Sequence, residues 1–417
     1  MKKFSLSLIS LLLLCAIVLN ATGCAKLHAT DLMDGITPRA LEESVDLGSQ
    51  SGDVSDFALR LFRAASKEDG NTLISPLSVL CALAMTANGA QGETREQMES
   101  VFGMTVEELN SYFRAYLNAL PREEKYKLCL ANSVWFSESA DFAVNRDFLQ
   151  LNADHYGADL YEAPFDGQTV RDINRWIKNE TGGMITDVLD RIPPDVVMYL
   201  INAIAFEAEW AEVYERDQVH DGTFTKEDGT KQTVKMMYDT DFFTYLEDEN
   251  ATGFVRKYQG GKYAFVALLP NEGISVSDYL EALDSEALHV LLSESHMTEV
   301  KTAIPKFETE YRTEMSEVLK AMGMTLAFNG DNANFSGIGT GANGNIYIGR
   351  VIHQTFIQVG EKGTKAGAVT VVEMPTNGAP AIKEPKQVYL DRPFVYMIID
   401  CENNVPFFIG TMMDVNQ

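Results

Sequence analysis

The sequence Glu361-Lys362-Gly363-Thr364-Lys365-Ala366-Gly367-Ala368-Val369-Thr370-Val371-Val372-Glu373-Met374 alternates in the manner of a β-strand. With the two-residue period of a strand, one face carries only uncharged side chains and the other face carries the charges. The uncharged face consists of Thr364, Ala366, Ala368, Thr370, Val372 and Met374. A shift of one residue would bury Lys365 and Glu373, so the pattern fixes which face can enter a core.

The segment that follows reads as an exposed loop. It runs Pro375-Thr376-Asn377-Gly378-Ala379-Pro380 and is rich in residues that favour turns. A stretch that suits both a buried strand and a loop indicates a conformational switch. An ordinary strand followed by a turn is the alternative.

An amide lies inside an apolar run upstream of this segment. Residues 196–206 are apolar apart from Asn202 and predict a strand that is buried on both faces. A buried amide without partners costs about 1–3 kcal/mol, so Asn202 requires them. His353 in another predicted strand, and Ser75 and Ser78 at the start of an apolar helix, are the candidates. The pattern favours a satisfied polar cluster in the core over a catalytic site.

Helical and strand patterns alternate along the rest of the chain without a βαβ rhythm, which favours an α+β fold. No linker interrupts residues 54–413, so we predict one large domain. The predicted helices cover residues 54–62, 77–87, 105–120 and 170–177. The predicted strands cover residues 127–136, 196–206, 265–269, 346–359 and 395–399.

The composition excludes several functions. The chain has 34 Lys and Arg against 60 Asp and Glu, a net charge of −26, which disfavours nucleic acid and repels anionic membranes. The sequence has no HExxH, P-loop or GxSxG motif and no Cys/His spacing typical of a metal site. We therefore predict no catalytic residue, no metal and no cofactor.

The N-terminus resembles a bacterial lipoprotein signal. Lys2 and Lys3 precede an apolar run, and Ala21-Thr22-Gly23 precedes Cys24. This pattern predicts a signal peptide over 1–23, lipid on Cys24, a polar tether over 24–52 and a folded domain over 53–417. The protein is then expected on the extracellular face of a bacterial membrane, anchored by lipid or released. An ordinary secretory signal with an incidental cysteine is the alternative.

Motifs in the folded part resemble those of the serpin family, in the family's order and over residues 54–414. They are Asn71–Ser78, Asn88–Ala90, Gly92–Thr94, Ile173–Trp176, Thr181–Ile185, Leu200–Trp210, Ile304–Phe307, Leu319–Met324, Asn334–Ile338, Glu361–Thr370, Asp391–Phe394 and Phe407–Gly410. The resemblance implies three β-sheets, eight or nine helices and an exposed reactive loop. It also implies a monomeric suicide inhibitor of extracellular serine proteases. After cleavage the loop would insert as a strand into the main sheet, with the protease still attached as an acyl-enzyme. A non-inhibitory serpin that acts as a surface binding or carrier lipoprotein is the alternative.

The resemblance also assigns roles to residues. The hinge of the loop would be Glu361, Gly363, Thr364, Ala366, Ala368 and Thr370. The shutter, where the main sheet opens, would be Ser75, Ser78, Asn202 and His353. The breach, where the loop enters, would be Trp210, Lys306 and Glu361, with an ion pair between Lys306 and Glu361. Gly367 departs from the family's alanine-rich run but lies on the outward face.

The position of the scissile bond follows from a count of residues along the loop. Counting from Gly363 as the family does places it between Asn377 and Gly378, with Thr376–Asn377 as the alternative. Counting back from Pro393 gives Ile382 instead, because this loop is longer than the family's common length. The hinge count decides, since a later cut would leave slack in the inserted strand. Small uncharged residues at this bond favour elastase-like or subtilisin-like proteases over trypsin-like ones.

Overall fold

The computed structural model describes residues 27–40, 46–67, 70–120, 126–138, 142–193, 196–341, 346–364 and 384–416. Within these residues the chain forms nine α-helices and three β-sheets, which confirms the predicted α+β architecture. The helices are α1 (Ser51–Ala65), α2 (Pro76–Ala87), α3 (Gly92–Phe102), α4 (Val106–Ala119), α5 (Arg146–Tyr156), α6 (Gly167–Glu180), α7 (Val276–Ala282), α8 (Ser285–Ser293) and α9 (Ser316–Ala321). The strands are β1 (Thr30–Asp31), β2 (Thr72–Ile74), β3 (Tyr126–Ser137), β4 (Phe142–Val144), β5 (Asp159–Ala163), β6 (Met198–Glu209), β7 (Val219–Thr225), β8 (Lys231–Glu247), β9 (Ala251–Lys257), β10 (Tyr263–Pro270), β11 (His296–Pro305), β12 (Phe307–Glu314), β13 (Gly339–Gly341), β14 (Arg350–Gly360), β15 (Gly363–Thr364), β16 (Lys386–Tyr389), β17 (Phe394–Asp400) and β18 (Val405–Met412).

The main sheet has seven strands in the order β1-β5-β3-β6-β15-β14-β12. Its central strands β6 and β14 are parallel and pair directly from Tyr199–Arg350 to Ala205–Phe356. At the C-terminal ends of β6 and β14, the two-residue strand β15 lies between them and is antiparallel to both. Parallel pairs are slightly less stable per residue than antiparallel pairs, so the pairing that an inserted strand would replace is the weaker kind.

A nine-stranded sheet lies behind the main sheet. Its longest path is β16-β11-β8-β9-β10-β17-β18-β2, and β7 pairs with β8 off this path. Every residue of β10, β17 and β18 is buried. Helix α2 is also buried at every position, because both sheets contribute to the surface that it contacts. It thus places Ser75 and Ser78 behind the centre of the main sheet.

Helix α6 covers the front of the main sheet. Ile173, Trp176 and Ile177 pack with Trp135 and Tyr199 of the sheet in a second, smaller core. Residues on the odd-numbered face of β6 belong to this front core, and those on the even-numbered face belong to the rear core. A strand inserted beside β6 would therefore have one face toward α6 and the other toward α2.

Two strand boundaries differ from the sequence prediction by three residues or more. Strand β14 begins at Arg350 rather than Ile346, and β6 continues past Phe206 to Glu209. Ile346 and Ile348 are buried outside any strand, and the Ile348 N–H donates to Ala327 O in the short 3-10 helix Leu326–Phe328. Alternating apolar residues indicate that a segment is buried, but they do not indicate which residues its backbone hydrogen-bonds to. Periodicity alone therefore cannot locate the ends of these strands.

The structure describes part of the segment that is predicted as a tether over 24–52. Residues 27–40 lie against the folded body, and Thr30–Asp31 extends the main sheet by pairing with β5. Helix α1 begins at Ser51, close to the predicted domain start. The predicted signal peptide 1–23 and the lipidation residue Cys24 lie outside the described residues. In the described part of the chain, no helix has the length and hydrophobicity needed to span a bilayer.

Candidate functional site

The structure brings the four shutter residues together at the centre of the main sheet. Asn202 of β6 and His353 of β14 are paired across the parallel strands. Ser75 and Ser78 at the start of α2 lie directly behind them. All four side chains are fully buried.

Hydrogen bonds satisfy this buried cluster. The Ser75 N–H donates to His353 Nε2 at 3.0 Å, so Nδ1 carries the ring proton and donates to Asn202 Oδ1 at 2.5 Å. The Asn202 amide donates to Ser78 O at 2.8 Å and also contacts Ser78 Oγ and Asn132 Oδ1. Ser75 additionally caps α2 by accepting from the Ser78 N–H. The cluster therefore ties β3, β6, β14 and α2 together.

This geometry requires a neutral imidazole at position 353. Burial lowers the pKa of His353 to about 3. The hydrogen bonds act in the same direction, because a proton on Nε2 would face the Ser75 N–H donor. The shutter is thus a neutral hydrogen-bonded network and holds no acid or base for catalysis at neutral pH.

The hinge begins inside the main sheet. Gly363 pairs with Glu209 of β6 and Gly360 of β14, and Thr364 pairs with Ala208 and Val359. Gly363 has φ +139°, and a Cβ there would lie 2.2 Å from Ala208 O, so only glycine fits. Two residues of the hinge therefore already separate β6 from β14.

Thr364 is fully buried and is held from behind. Its Oγ1 lies 2.7 Å from the Tyr258 hydroxyl. The Tyr258 ring stacks on Trp210 at 4.5 Å between centroids, and Trp210 Nε1 donates to Gly360 O at 2.9 Å. Trp210 therefore contacts Gly360 at the end of β14 directly, and it contacts Thr364 of β15 through the Tyr258 ring.

The two remaining breach residues form the expected contact. Lys306 Nζ lies 2.5 Å from Glu361 Oε2. The lysine lowers the pKa of the Glu361 carboxyl by this hydrogen bond. Both side chains are partly exposed, at 36% and 45%, so solvent screens the pair and its net contribution is about 0–1 kcal/mol. The pair holds the start of the hinge against the end of β11.

Replacement of Lys306 by Ala is expected to leave the fold intact and to speed conversion to a latent or polymeric form by a few fold. The missing ion pair weakens the attachment of Glu361 to the body and leaves the hinge freer to enter the sheet. Native gel electrophoresis during incubation below the unfolding temperature measures this conversion.

Lys320→Ala is the matched control, since it removes a similarly exposed ion pair with Glu317 on α9. Equal conversion rates in the two variants would show that the Lys306–Glu361 pair does not restrain the hinge.

Sequence reasoning missed part of the breach. Arg256 is buried, pairs with Asp239 at 2.8 Å and stacks on the Tyr214 ring at 4.2 Å. Arg256 also donates to Glu212 O at 2.6 Å. Two residues further along the chain, the Tyr214 N–H donates to Glu361 O. Arg256 lies near the end of β9, and Tyr258 follows that strand directly. The sequence around them gives no signal for these contacts.

The described residues fix where further hinge residues would come to lie. Because Thr364 is opposite Ala208 and Val359, continued antiparallel pairing would put Thr370 opposite both Asn202 and His353. Full insertion is therefore expected to bring a hydroxyl to the shutter and to separate its two central members.

Several predicted site residues lie outside the described part of the chain. These are Ala366, Ala368, Thr370, Thr376, Asn377 and Gly378 of the hinge and scissile bond, together with Cys24. Among the described residues, no group of three or more His, Cys, Asp or Glu side chains is placed to hold a metal ion.

Known proteins share both the sequence and the architecture. The family model described as Serpin (serine protease inhibitor) matches residues 53–415. An uncharacterized serpin-like protein of Thermococcus kodakarensis is 30% identical over 368 residues, covering 87% of this chain and 84% of that protein. The human leukocyte elastase inhibitor is 31% identical over 378 residues, which cover 85% of this chain and 96% of that protein.

Solved structures of serpins share the fold of this chain. The native state of tengpin, a thermophilic serpin, is 46% identical and superposes with a TM-score of 0.88, covering 93% of this chain and all of that one. The latent state of tengpin gives a TM-score of 0.79 at 45% identity. The higher score for the native state fits a main sheet in which β6 and β14 still pair directly from Tyr199–Arg350 to Ala205–Phe356. With a buried polar cluster at the centre of the main sheet, the short strand β15 between β6 and β14, and a family match over residues 53–415, this chain belongs to the serpins, which are generally protease inhibitors rather than enzymes.

Proposed function

We propose that this serpin is inhibitory and traps serine proteases of the elastase-like or subtilisin-like kind by inserting its reactive loop. The observation that carries the proposal is β15, the two-residue wedge between β6 and β14. Thr364 is already buried there, and the following residues of the same face, Ala366, Ala368 and Thr370, are small and uncharged. Insertion can therefore proceed without burying a charge.

The chain acts as a substrate that fails to release its enzyme. The serine oxygen of the protease attacks the carbonyl of Asn377, and the amide nitrogen of Gly378 leaves as a protonated amine. The N-terminal side of the cut stays bound as an ester. Insertion between β6 and β14 then carries this ester, and the protease with it, away from the breach before water can hydrolyse it.

The residues at the proposed cut indicate the target class. Thr376 and Asn377 are small and uncharged, so a specificity pocket with a buried acid would find no partner. A shallow apolar pocket accepts them better. Lys383 is a site at which trypsin is expected to cut without being trapped, since the longer strand would not press the protease against the body.

Incubation with a panel of serine proteases, followed by denaturing electrophoresis, tests this proposal. An elastase-like or subtilisin-like protease is expected to give a covalent complex of higher mass. Cleavage without any such complex across the panel would favour the non-inhibitory carrier function.

The C-terminal fragment released from a trapped complex is expected to begin at Gly378, or at Asn377 if the alternative bond is used. Mass spectrometry of that fragment gives its first residue directly. A fragment that begins at Lys383 or Glu384 would overturn both the count from the hinge and the target class drawn from it.

We propose in addition that Cys24 is lipidated and that the protein works on the extracellular face of a bacterial membrane. Ala21-Thr22-Gly23 before Cys24 supports this proposal. The expressed full chain should partition into a detergent phase and lose this behaviour on Cys24→Ser. Equal partitioning of both forms into the aqueous phase would favour an ordinary secretory signal.

A further inference from the structure

The N-terminal segment is fastened to the body at several points. We call residues 27–40 the strap. Thr30–Asp31 pairs with β5, and Leu27 and Ala29 pack on the core beneath α6. Leu32, Met33 and Ile36 pack on the main core. The strap therefore contributes to both cores of the protein.

The first fastening is a carboxylate on α6. Asp172 has a side chain that is only 1% exposed. It accepts hydrogen bonds from the backbone N–H groups of His28 at 2.8 Å and Ala29 at 3.2 Å. A buried carboxylate requires such donors, so α6 and the strap satisfy each other.

The second fastening is a carboxylate on α5. The Asp154 side chain is fully buried and accepts from the Arg39 backbone N–H at 2.7 Å and from Arg39 Nε at 2.8 Å. Gln150 of the same helix donates to Thr37 O at 2.9 Å. The two fastenings lie near opposite ends of the strap, which holds the whole segment down.

Helix α6 carries a basic stripe on the face turned away from the sheet. Arg171, Arg175 and Lys178 follow each other at spacings of four and three residues, so they share that face. Arg171 and Lys178 are exposed, and Arg175 is partly exposed with its guanidinium 3.6 Å from Asp172. Asp166 and Glu180, at the two ends of the helix, are the exposed acids of the same helix. The stripe stands out against the net charge of −26.

The strap starts beside this helix. His28 reaches Asp172 and Gln168 of α6, and only three peptide units separate Leu27 from Cys24. Three units span at most about 11 Å, whereas the chain from Cys24 to α1 could span about 90 Å if it were free. A lipid on Cys24 would thus lie close to α6.

We propose that the outer face of α6, with Arg171, Arg175 and Lys178, is the surface that this protein turns toward an anionic bilayer. The inference rests on the proposed lipidation of Cys24. The lipid supplies the affinity, because the acidic body as a whole is repelled by such a membrane. The strap and the stripe supply the orientation, since basic residues near an anionic surface are attracted to it. Release of the strap would lengthen the tether and free the orientation.

Lysine footprinting on vesicles tests the orientation. The purified lipidated chain is bound to phosphatidylcholine vesicles that contain phosphatidylglycerol and is treated briefly with a water-soluble acetylating reagent. Acetylation of Lys178 is expected to be several-fold slower than in the Cys24→Ser chain in solution. Acetylation of Lys301, an exposed lysine of β11 in the other sheet, should be the same in both. Equal rates at Lys178 would overturn the proposal.

Two variants separate the strap from the stripe. Asp172→Ala with Asp154→Ala is expected to keep the chain on the vesicles but to remove the protection of Lys178. Arg171→Glu leaves the Arg175–Asp172 contact in place and should also reduce this protection, while hydrogen exchange of the strap stays slow. Retained protection in both variants would contradict the proposed roles.

A third arm separates this inference from the proposed lipidation. A chain in which a hexahistidine sequence replaces residues 1–24 is bound to anionic vesicles that contain a nickel-chelating lipid. Protection of Lys178 in this form supports the orientation even if the natural chain proves to carry no lipid. Loss of protection here, with the strap still slow to exchange, would overturn the orientation alone.

Discussion

Replacement of Thr364 by Arg is expected to turn the proposed inhibitor into a substrate. The side chain at 364 is fully buried between β6 and β14 and contacts the Tyr258 hydroxyl. Arginine there would have to leave water without an acidic partner, at a cost of several kcal/mol. A cost of about 3 kcal/mol slows insertion past this residue about a hundredfold, because each 1.36 kcal/mol corresponds to a factor of ten in rate. Hydrolysis of the ester should then outrun insertion, and at least tenfold more inhibitor should be consumed per trapped protease.

Titration of a trapped protease with the variant gives this stoichiometry, and denaturing electrophoresis shows the cleaved product. Thr364→Ser is the matched control, since it keeps the hydroxyl for Tyr258 and adds no charge. Lys362→Arg is a second control that leaves the inserted face unchanged. A Thr364→Arg protein that traps protease as well as the wild type would show that the face assignment of the hinge is incorrect.

The same substitution is expected to act before cleavage. Because β15 is already part of the main sheet, arginine at 364 should displace Gly363 and Thr364 from between β6 and β14. Trp210 stacks on Tyr258, so its fluorescence should change in the uncut variant but not in Thr364→Ser. The sequence pattern alone predicts a defect only after cleavage, and the structure adds this earlier one.

Predictions from the sequence succeeded where a residue has a chemical requirement that few partners can meet. Asn202 lies in an apolar run and must find donors and acceptors in the core, so His353, Ser75 and Ser78 could be named as candidates. The helices α1, α2 and α6 have strong apolar patterns or clear caps, and their approximate positions could be predicted as well. Neither kind of reasoning required knowledge of distant contacts.

The strap could not be predicted because its signals are distant in sequence. From the sequence, Asp154 and Asp172 resemble ordinary acids on helix surfaces. They are buried by the strap, which lies more than a hundred residues away in the sequence. The segment is polar and short of periodicity, which is typical of a linker. Tyr258 was missed for a similar reason, since its contact with Thr364 spans 106 residues. Hydrophobic patterns in the sequence indicate local burial, but they do not indicate which residues distant in sequence supply a hydrogen-bond partner.

Acid is expected to weaken the shutter through His353. Its pKa in the folded protein is about 3, whereas the ordinary value is 6.5, so between these values the unfolded chain binds a proton that the native shutter cannot accept. The stabilisation is complete above pH 6.5 and is lost as the pH falls toward 3, and at pH 5 the loss from this group is about 2 kcal/mol. His155, whose pKa is also lowered by burial, adds a loss of the same sign. Polymerisation on warming should therefore be faster at pH 5 than at pH 7.

The His353→Ala variant is expected to polymerise readily at both pH values. It removes the acceptor for the Ser75 N–H and the donor for Asn202 Oδ1, and a buried group left without its partner costs about 1–3 kcal/mol. It also leaves a cavity between β14 and α2. The midpoint of thermal unfolding should fall by several degrees, and its decrease between pH 7 and pH 5 should be smaller than in the wild type, because the proton that His353 takes up on unfolding is gone. His289→Ala, at an exposed position on α8, is the control and should retain both the wild-type midpoint and its pH dependence. A His353→Ala protein with unchanged thermal stability and no polymers on warming would show that this hydrogen-bonded cluster does not hold the sheet closed.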